Sequence, residues 1–150
     1  MNQLHIAFGR AEDIAFIAQF QVDMAWESEG TRLDGEHVMK GVTHAIDDPQ
    51  KGQYAVAFVD GVPVGSLMLT REWSDWTDRW YLWIQSVYVL PEHRGRGIYR
   101  AMYAWVKALA QAEGITQIRL YVDCNNHRAQ HVYRQVGMKE SHYQMYEEDV

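Results

Sequence analysis

The sequence predicts an α/β (α+β) fold, one domain over residues 1–150, with a mixed central sheet of about six to seven strands and about four helices. Three observations carry this. Short apolar strands alternate with stretches of helical period, an Asp-Gly dipeptide joins two apolar runs as a hairpin, and two strand-loop-helix units follow each other between residues 84 and 138. The chain has 150 residues, 47% of them hydrophobic, which is enough for one packed domain and too short for two ordinary ones.

Leu4 to Phe8 reads as a first strand. Ile14, Ile17, Gln21 and Met24 then recur on one helical face leading to Trp26. A second helix is expected over about Glu36 to Asp47, with Val38, Val42 and Ala45 or Ile46 turned inward. Tyr54 to Val59 and Val62 to Leu69 flank Asp60-Gly61, a favoured dipeptide for a two-residue hairpin turn. The next strand, about Trp80 to Leu90, is continuous enough in apolar character to be central. Met138 to Tyr146 is expected to supply the last strands. The sheet should be antiparallel at its start and parallel where the two strand-loop-helix units meet.

The first unit is Val87-Tyr88-Val89-Leu90-Pro91-Glu92-His93-Arg94-Gly95-Arg96-Gly97-Ile98-Tyr99. Pro91 lacks an N–H and pushes Leu90 toward extended geometry, so the strand ends there. Gly95 and Gly97 permit positive φ and close approach of a ligand to the main chain. Ile98, Met102, Trp105 and Leu109 follow at helical spacing, so a helix begins inside the loop. Its first N–H groups have no intrahelical partner and carry the positive end of the helix dipole, which suits a phosphate. Arg94, Arg96 and Arg100 add charge of the right geometry. Neither nucleotide motif fits: the loop has no Gly-Lys-Ser/Thr, and the third glycine of G-x-G-x-x-G falls on Arg100.

In the second unit Ile118, Leu120 and Val122 alternate as a strand. Asp123-Cys124-Asn125-Asn126 then supplies turn and cap residues for a helix carrying Ala129, Val132 and Val136, closed by Gly137.

Together, Val87-x-Val89-x-Pro91 with Arg94-x-x-Gly97, and Val122-x-x-x-Asn126-x-x-Ala129-x-x-x-Tyr133-x-x-x-Gly137-Met138, resemble the GNAT superfamily of acyl-coenzyme A-dependent N-acyltransferases. The loose resemblance runs from about Leu4 to Met145, and the specific part from 84 to 138. It implies acetyl-coenzyme A as co-substrate. The diphosphate would rest on the amides of Gly95, Arg96, Gly97, Ile98, Tyr99 and Arg100, beside Arg94. The pantetheine arm would lie between two splayed parallel strands, taking backbone groups of Val87 and Val89 and a hydrogen bond from Asn126, with Ala129 alongside. A strand amide near Val87 could stabilise the oxyanion of amine attack, and Tyr133 resembles the family's proton donor to the departing thiolate. One position departs from the pattern: the family usually has Gly or Ala where this chain has Tyr99, whose ring is expected to turn away from the phosphate cradle.

The resemblance places the amine acceptor by the connection between the first two helices, here Trp26-Glu27-Ser28-Glu29-Gly30-Thr31-Arg32. A second candidate wall is Glu72-Trp73-Ser74-Asp75-Trp76-Thr77-Asp78, read as lying between two strands. Aromatic rings among carboxylates can cage a cation, so Trp26, Glu29, Glu72 and Trp73 are candidate acceptor contacts. Many relatives take the amine's proton with a glutamate on the central strand. This chain has none there, and Glu27 is the first substitute, ahead of Glu29 and Glu72. The favoured activity is acetyl transfer to a primary amine of a small molecule. The alternatives are a protein lysine or N-terminal acetyltransferase and a non-catalytic acyl-coenzyme A sensor.

Composition restricts the partners. A net charge of −6 opposes non-specific nucleic-acid binding and fits a cationic acceptor. A single cysteine excludes an internal disulfide framework, and Cys124 reads as a small packed residue. The early sequence carries Arg10, Glu12 and Asp13 where a signal or membrane segment would need an apolar run, so a cytoplasmic protein without membrane contact is expected. His93, His127 and His131 form no metal pattern with a third ligand, so no metal is implied. The resemblance allows a homodimer, since dimers are common among similar proteins.

Overall fold

A computed structural model describes residues 3–150 and divides into two compact units, one ending at Leu120 and a second spanning Tyr121–Val150. The first unit contains β1 (Leu4–Phe8), α1 (Ile14–Glu29), α2 (Gly35–Asp47), β2 (Gln53–Val59), β3 (Val62–Ser74), β4 (Arg79–Val89), α3 (Ile98–Ala112) and β5 (Ile118–Arg119). The sheet order follows the chain, β1-β2-β3-β4-β5. The first three pairings are antiparallel and β4–β5 is parallel, through Leu82 opposite Ile118 and Trp83 opposite Arg119.

Local chemistry sets the element ends. The Asp13 carboxylate accepts the Arg10 N–H at 2.9 Å just before α1, and Gly30 ends that helix in the left-handed region at φ 64°. Asp34 caps α2 by accepting the Glu36 N–H at 3.0 Å. Asp60 and Gly61, at φ 50° and 80°, make the expected hairpin turn between β2 and β3.

Strand alternation sends side chains into two cores on opposite faces of the sheet. Leu67, Leu69, Leu82 and Ile84 meet Ile98, Met102, Val106 and Ala110 of α3. On the other face Tyr54, Val56 and Met68 meet Ile17 and Ala18 of α1 and Val42 and Ala45 of α2. Each fully buried aliphatic side chain in these layers contributes roughly 1.5–3 kcal/mol of transfer free energy. The inward stripe of α3 is Ile98, Met102, Val106 and Ala110, while Trp105 and Leu109 are only partly buried against it.

Several expected boundaries shift. β3 runs five residues beyond Leu69, to Ser74, because Thr70 to Ser74 pair with Trp83 to Arg79. Glu72 and Trp73 therefore lie on a strand, and only residues 75–78 form the connection. The sheet of the described residues has five strands rather than six to seven. Of the strand read across Ile118, Leu120 and Val122, only Ile118–Arg119 pairs.

The second unit contains α4 (His127–Gln135), and Gly137 follows it at φ 102°. Met138 to Tyr146, expected as strands, has no regular secondary structure. The polar run Lys139-Glu140-Ser141-His142 is exposed, and so are Tyr143, Met145 and Tyr146, so no alternating apolar face offsets the entropy of ordering a strand.

β4 also carries a feature the sequence reading lacked. Ser66 pairs with Tyr88 and Met68 with Gln85, so one residue of β3 faces two of β4, and Ser86 sits at φ 53°. This is a β-bulge, and it exchanges the faces of the strand. Before it Leu82 and Ile84 enter the α3 core; after it Val87 and Val89 do, while Tyr88 turns toward Phe20 of α1. A Cβ on Gly65 would stand 2.8 Å from the Tyr88 carbonyl oxygen, tighter than backbone permits. Gly65→Ala is therefore expected to cost about 1–3 kcal/mol, read as a lower denaturant midpoint. An unchanged midpoint would show that the strands have room to part there.

Candidate active site

The loop between β4 and α3 is the centre of the candidate site. Pro91–His93 forms one 3-10 turn, in which the His93 N–H donates to the Leu90 carbonyl at 2.9 Å and the Arg94 N–H to the Pro91 carbonyl at 3.2 Å. Beyond it the chain opens. Gly95 and Gly97 take φ of 74° and 77°, and a Cβ on either would meet nothing within 4 Å. Among the described residues, the N–H groups of Gly95, Arg96, Gly97 and Ile98 donate to no backbone acceptor; the first helical bond is from Ala101 to the Gly97 carbonyl, at 3.0 Å. Four donors and the positive end of a fifteen-residue helix thus gather on an open loop, the condition for binding an anion. Ile98 can contribute only through its backbone, since its side chain is buried in the core. The ring of Tyr99 stands 6.2 Å from that of Tyr103, one turn further along α3. Arg96 and Arg100 are exposed.

Arg94 is placed differently from the other two arginines. Its Nε donates to the Val89 carbonyl at 2.8 Å, and its two terminal nitrogens bind both oxygens of Glu27, Nη2 to Oε2 at 2.8 Å. Its guanidinium also lies 5.4 Å from the centre of the Tyr88 ring. Glu27, expected to take the proton of the amine, therefore has both carboxylate oxygens engaged by a guanidinium. The hydrogen bonds that Arg94 donates to Glu27 hold the Arg94 pKa above its usual range, and burial pushes the Tyr88 phenol up, helped by the negative charge of Glu27 and Asp23. Nothing in the sequence signalled this pair, whose members stand 67 residues apart. The bulge did leave a trace, because polar Gln85-Ser86 interrupts an otherwise apolar run.

The acceptor candidates fall in separate places. Trp26 follows Ile17 by nine residues, half a turn from the buried stripe of α1; the residue is 53% exposed and its ring carries the Arg32 guanidinium at 4.3 Å. Glu29 is exposed at the end of α1. Glu72 accepts the Trp83 indole N–H at 2.8 Å and lies 3.5 Å from Arg119. Trp73 packs edge-on against Trp80, with ring centres 5.0 Å apart. Trp80 is six residues from the bulge at Ser86, about 20 Å along an extended strand, so the Trp73 wall stands well away from Val87.

In the second unit, Asn126 caps α4 by accepting the Ala129 N–H on Oδ1 at 3.1 Å, which leaves its amide nitrogen as the donor for any ligand. The Asp123 carboxylate accepts the Asn125 N–H at 2.8 Å and fixes the turn before it. Cys124 is exposed rather than packed. Burial pushes the Tyr133 phenol above its ordinary pKa. No group of three metal-ligating side chains occurs among the described residues, and none of their helices is long and apolar enough to cross a membrane.

Comparison with known proteins converges on one family. The family model described as Acetyltransferase (GNAT) family matches residues 13–138. The thialysine N-epsilon-acetyltransferase of Sus scrofa is 33% identical over 85 residues, covering 53% of this chain and 49% of the relative. The chain thus spans about half the length of that relative. The aminoalkylphosphonate N-acetyltransferase of Salmonella typhimurium is 28% identical over 111 residues, 74% of this chain and 71% of the relative. Among solved structures, one described as a possible acetyltransferase from Clostridium difficile 630 superposes with a TM-score of 0.92 at 39% identity, covering 98% of this chain and 97% of its own.

Proposed function

Because the chain belongs to the acetyltransferase (GNAT) family, we propose that it transfers an acetyl group from acetyl-coenzyme A to a primary amine of a small molecule. The observation that carries this reading is the open loop at the start of α3, whose N–H groups at Gly95, Arg96, Gly97 and Ile98 have no backbone acceptor in the fold and suit a diphosphate. Arg96 and Arg100 supply the accompanying positive charge. The relatives support an amine acceptor, one being named for thialysine and another for aminoalkylphosphonates.

Acetyl-coenzyme A would supply a thioester that the amine attacks directly. The chain's part is to bind, orient and move protons. The bulge at Ser86 takes a residue out of regular pairing, the device by which a strand re-aims a backbone amide, so an amide near Val87 is proposed to donate to the developing oxyanion. The backbone of Val87 in the first unit, and the Asn126 amide nitrogen with Ala129 in the second, are each proposed as pantetheine contacts. The Val89 carbonyl is already taken by Arg94, leaving Val89 its N–H. Tyr133 is proposed to give its proton to the departing thiolate, since a tyrosine phenol carries its proton at neutral pH and burial pushes its pKa further up.

A coenzyme A release screen across polyamines, amino acids, aminoglycosides and lysine peptides tests this. Release driven by a small amine is the expected result. Release with peptides alone would move the assignment to a protein acetyltransferase, and binding of acetyl-coenzyme A without release by any amine would make the chain a sensor.

A further inference from the structure

We propose that Arg94 is a positioning residue, which clasps the end of β4 to α1 through Glu27 and so holds the diphosphate-binding loop in place, and that its side chain is not a phosphate ligand. The inference rests on the reading of that loop as the coenzyme A site. Three contacts fix the guanidinium at once: the Val89 carbonyl at the last residue of β4, both carboxylate oxygens of Glu27 on α1, and the face of Tyr88, whose own ring packs 5.7 Å from that of Phe20 on α1. The side chain is 24% exposed.

The loop departs from this knot. Arg94 is closed by its N–H on Pro91, and the next residue, Gly95, is at φ 74° with no neighbour near its Cα hydrogens. Arg94 is thus the last residue tied down before two glycines, and a shift at Arg94 is passed to every donor of the loop. Three of the five guanidinium N–H groups of Arg94 are taken by Val89 and Glu27, and a phosphate that drew the guanidinium off Glu27 would strand a carboxylate beside the buried Tyr88. Paired with Glu27 it is also neutral to the surroundings, so Arg96 and Arg100 are the charges that a diphosphate would feel.

The two roles of Arg94 separate in one variant. In Glu27→Gln the arginine keeps its charge and loses its anchor. A phosphate ligand set free in this way would hold coenzyme A as tightly or more tightly, whereas a broken clasp weakens it. Calorimetry with coenzyme A is expected to show about a tenfold higher Kd for Glu27→Gln and for Arg94→Gln, with the double variant no worse than either. Arg94→Lys, which cannot reproduce the fork, should weaken binding similarly. KM for acetyl-coenzyme A should rise in Glu27→Gln while the pH profile of kcat keeps its shape. Amide exchange without ligand should quicken at Ala101, the first residue bonded across the loop, in a protein whose unfolding midpoint shows it folded. Unchanged or tighter binding in Glu27→Gln, or a displaced pH profile marking Glu27 as the base, would overturn the proposal. If the unaltered protein itself binds no coenzyme A, the loop reading fails, and the exchange at Ala101 still decides whether the clasp exists.

Discussion

Gly97→Val is expected to weaken coenzyme A binding about 30-fold or more, whereas Gly97→Asn stays within about threefold of the parent. Gly97 caps α3 at φ 77° and ψ 15°, and space is not the issue, since a Cβ there meets nothing within 4 Å. The cost is conformational. An L-residue in the left-handed region loses roughly 1–2 kcal/mol, a β-branched one more, and asparagine tolerates it best of the non-glycine residues. Valine therefore relaxes out of this conformation and takes the N–H groups of Gly97 and Ile98 with it, so the donors no longer converge. Calorimetry on both variants checks this. Equal losses for valine and asparagine would mean that the side chain obstructs the ligand rather than the backbone failing to fold around it.

Tyr133→Phe is expected to lower kcat by about 10²- to 10³-fold with KM for acetyl-coenzyme A little changed, the range for removal of a general acid. A tyrosine phenol carries its proton at neutral pH, and burial pushes its pKa further up. Phenylalanine keeps the ring and removes the hydroxyl that carries the proton. Steady-state kinetics with the amine found in the release screen provide the measurement. A kcat within about threefold of the parent would return Tyr133 to a packing role.

Local chemistry made much of this architecture legible. Pro91 ended a strand, Asp60-Gly61 turned a hairpin, and the glycine pair before Ile98 marked where the helix begins, because each of these depends on the φ a residue can reach. Helix α2 was legible through the inward period of Val38, Val42 and Ala45, and the structure adds the Asp34 cap that starts it. What escaped depends on distant pairing. Glu27 and Arg94 each read as exposed charges, one a base and one a phosphate ligand, until the fold set them against each other. The bulge at Ser86 is a property of register between β3 and β4, and serine carries no general preference for positive φ. The expected strands after Met138 were inferred from a few apolar residues in a polar stretch whose side chains remain exposed. Glu72 and Trp73 looked like loop residues because the pairing that extends β3 to Ser74 has no signature in either strand alone.

Calorimetric titration of the unaltered protein with coenzyme A and, in parallel, with pantetheine bears most directly on the claim that the loop from Gly95 to Arg100 is built for a diphosphate. The account predicts saturable binding of coenzyme A that weakens as salt is raised, and pantetheine binding weaker by at least about 100-fold. Equal affinity for the two, or no binding of coenzyme A at low ionic strength, would contradict it.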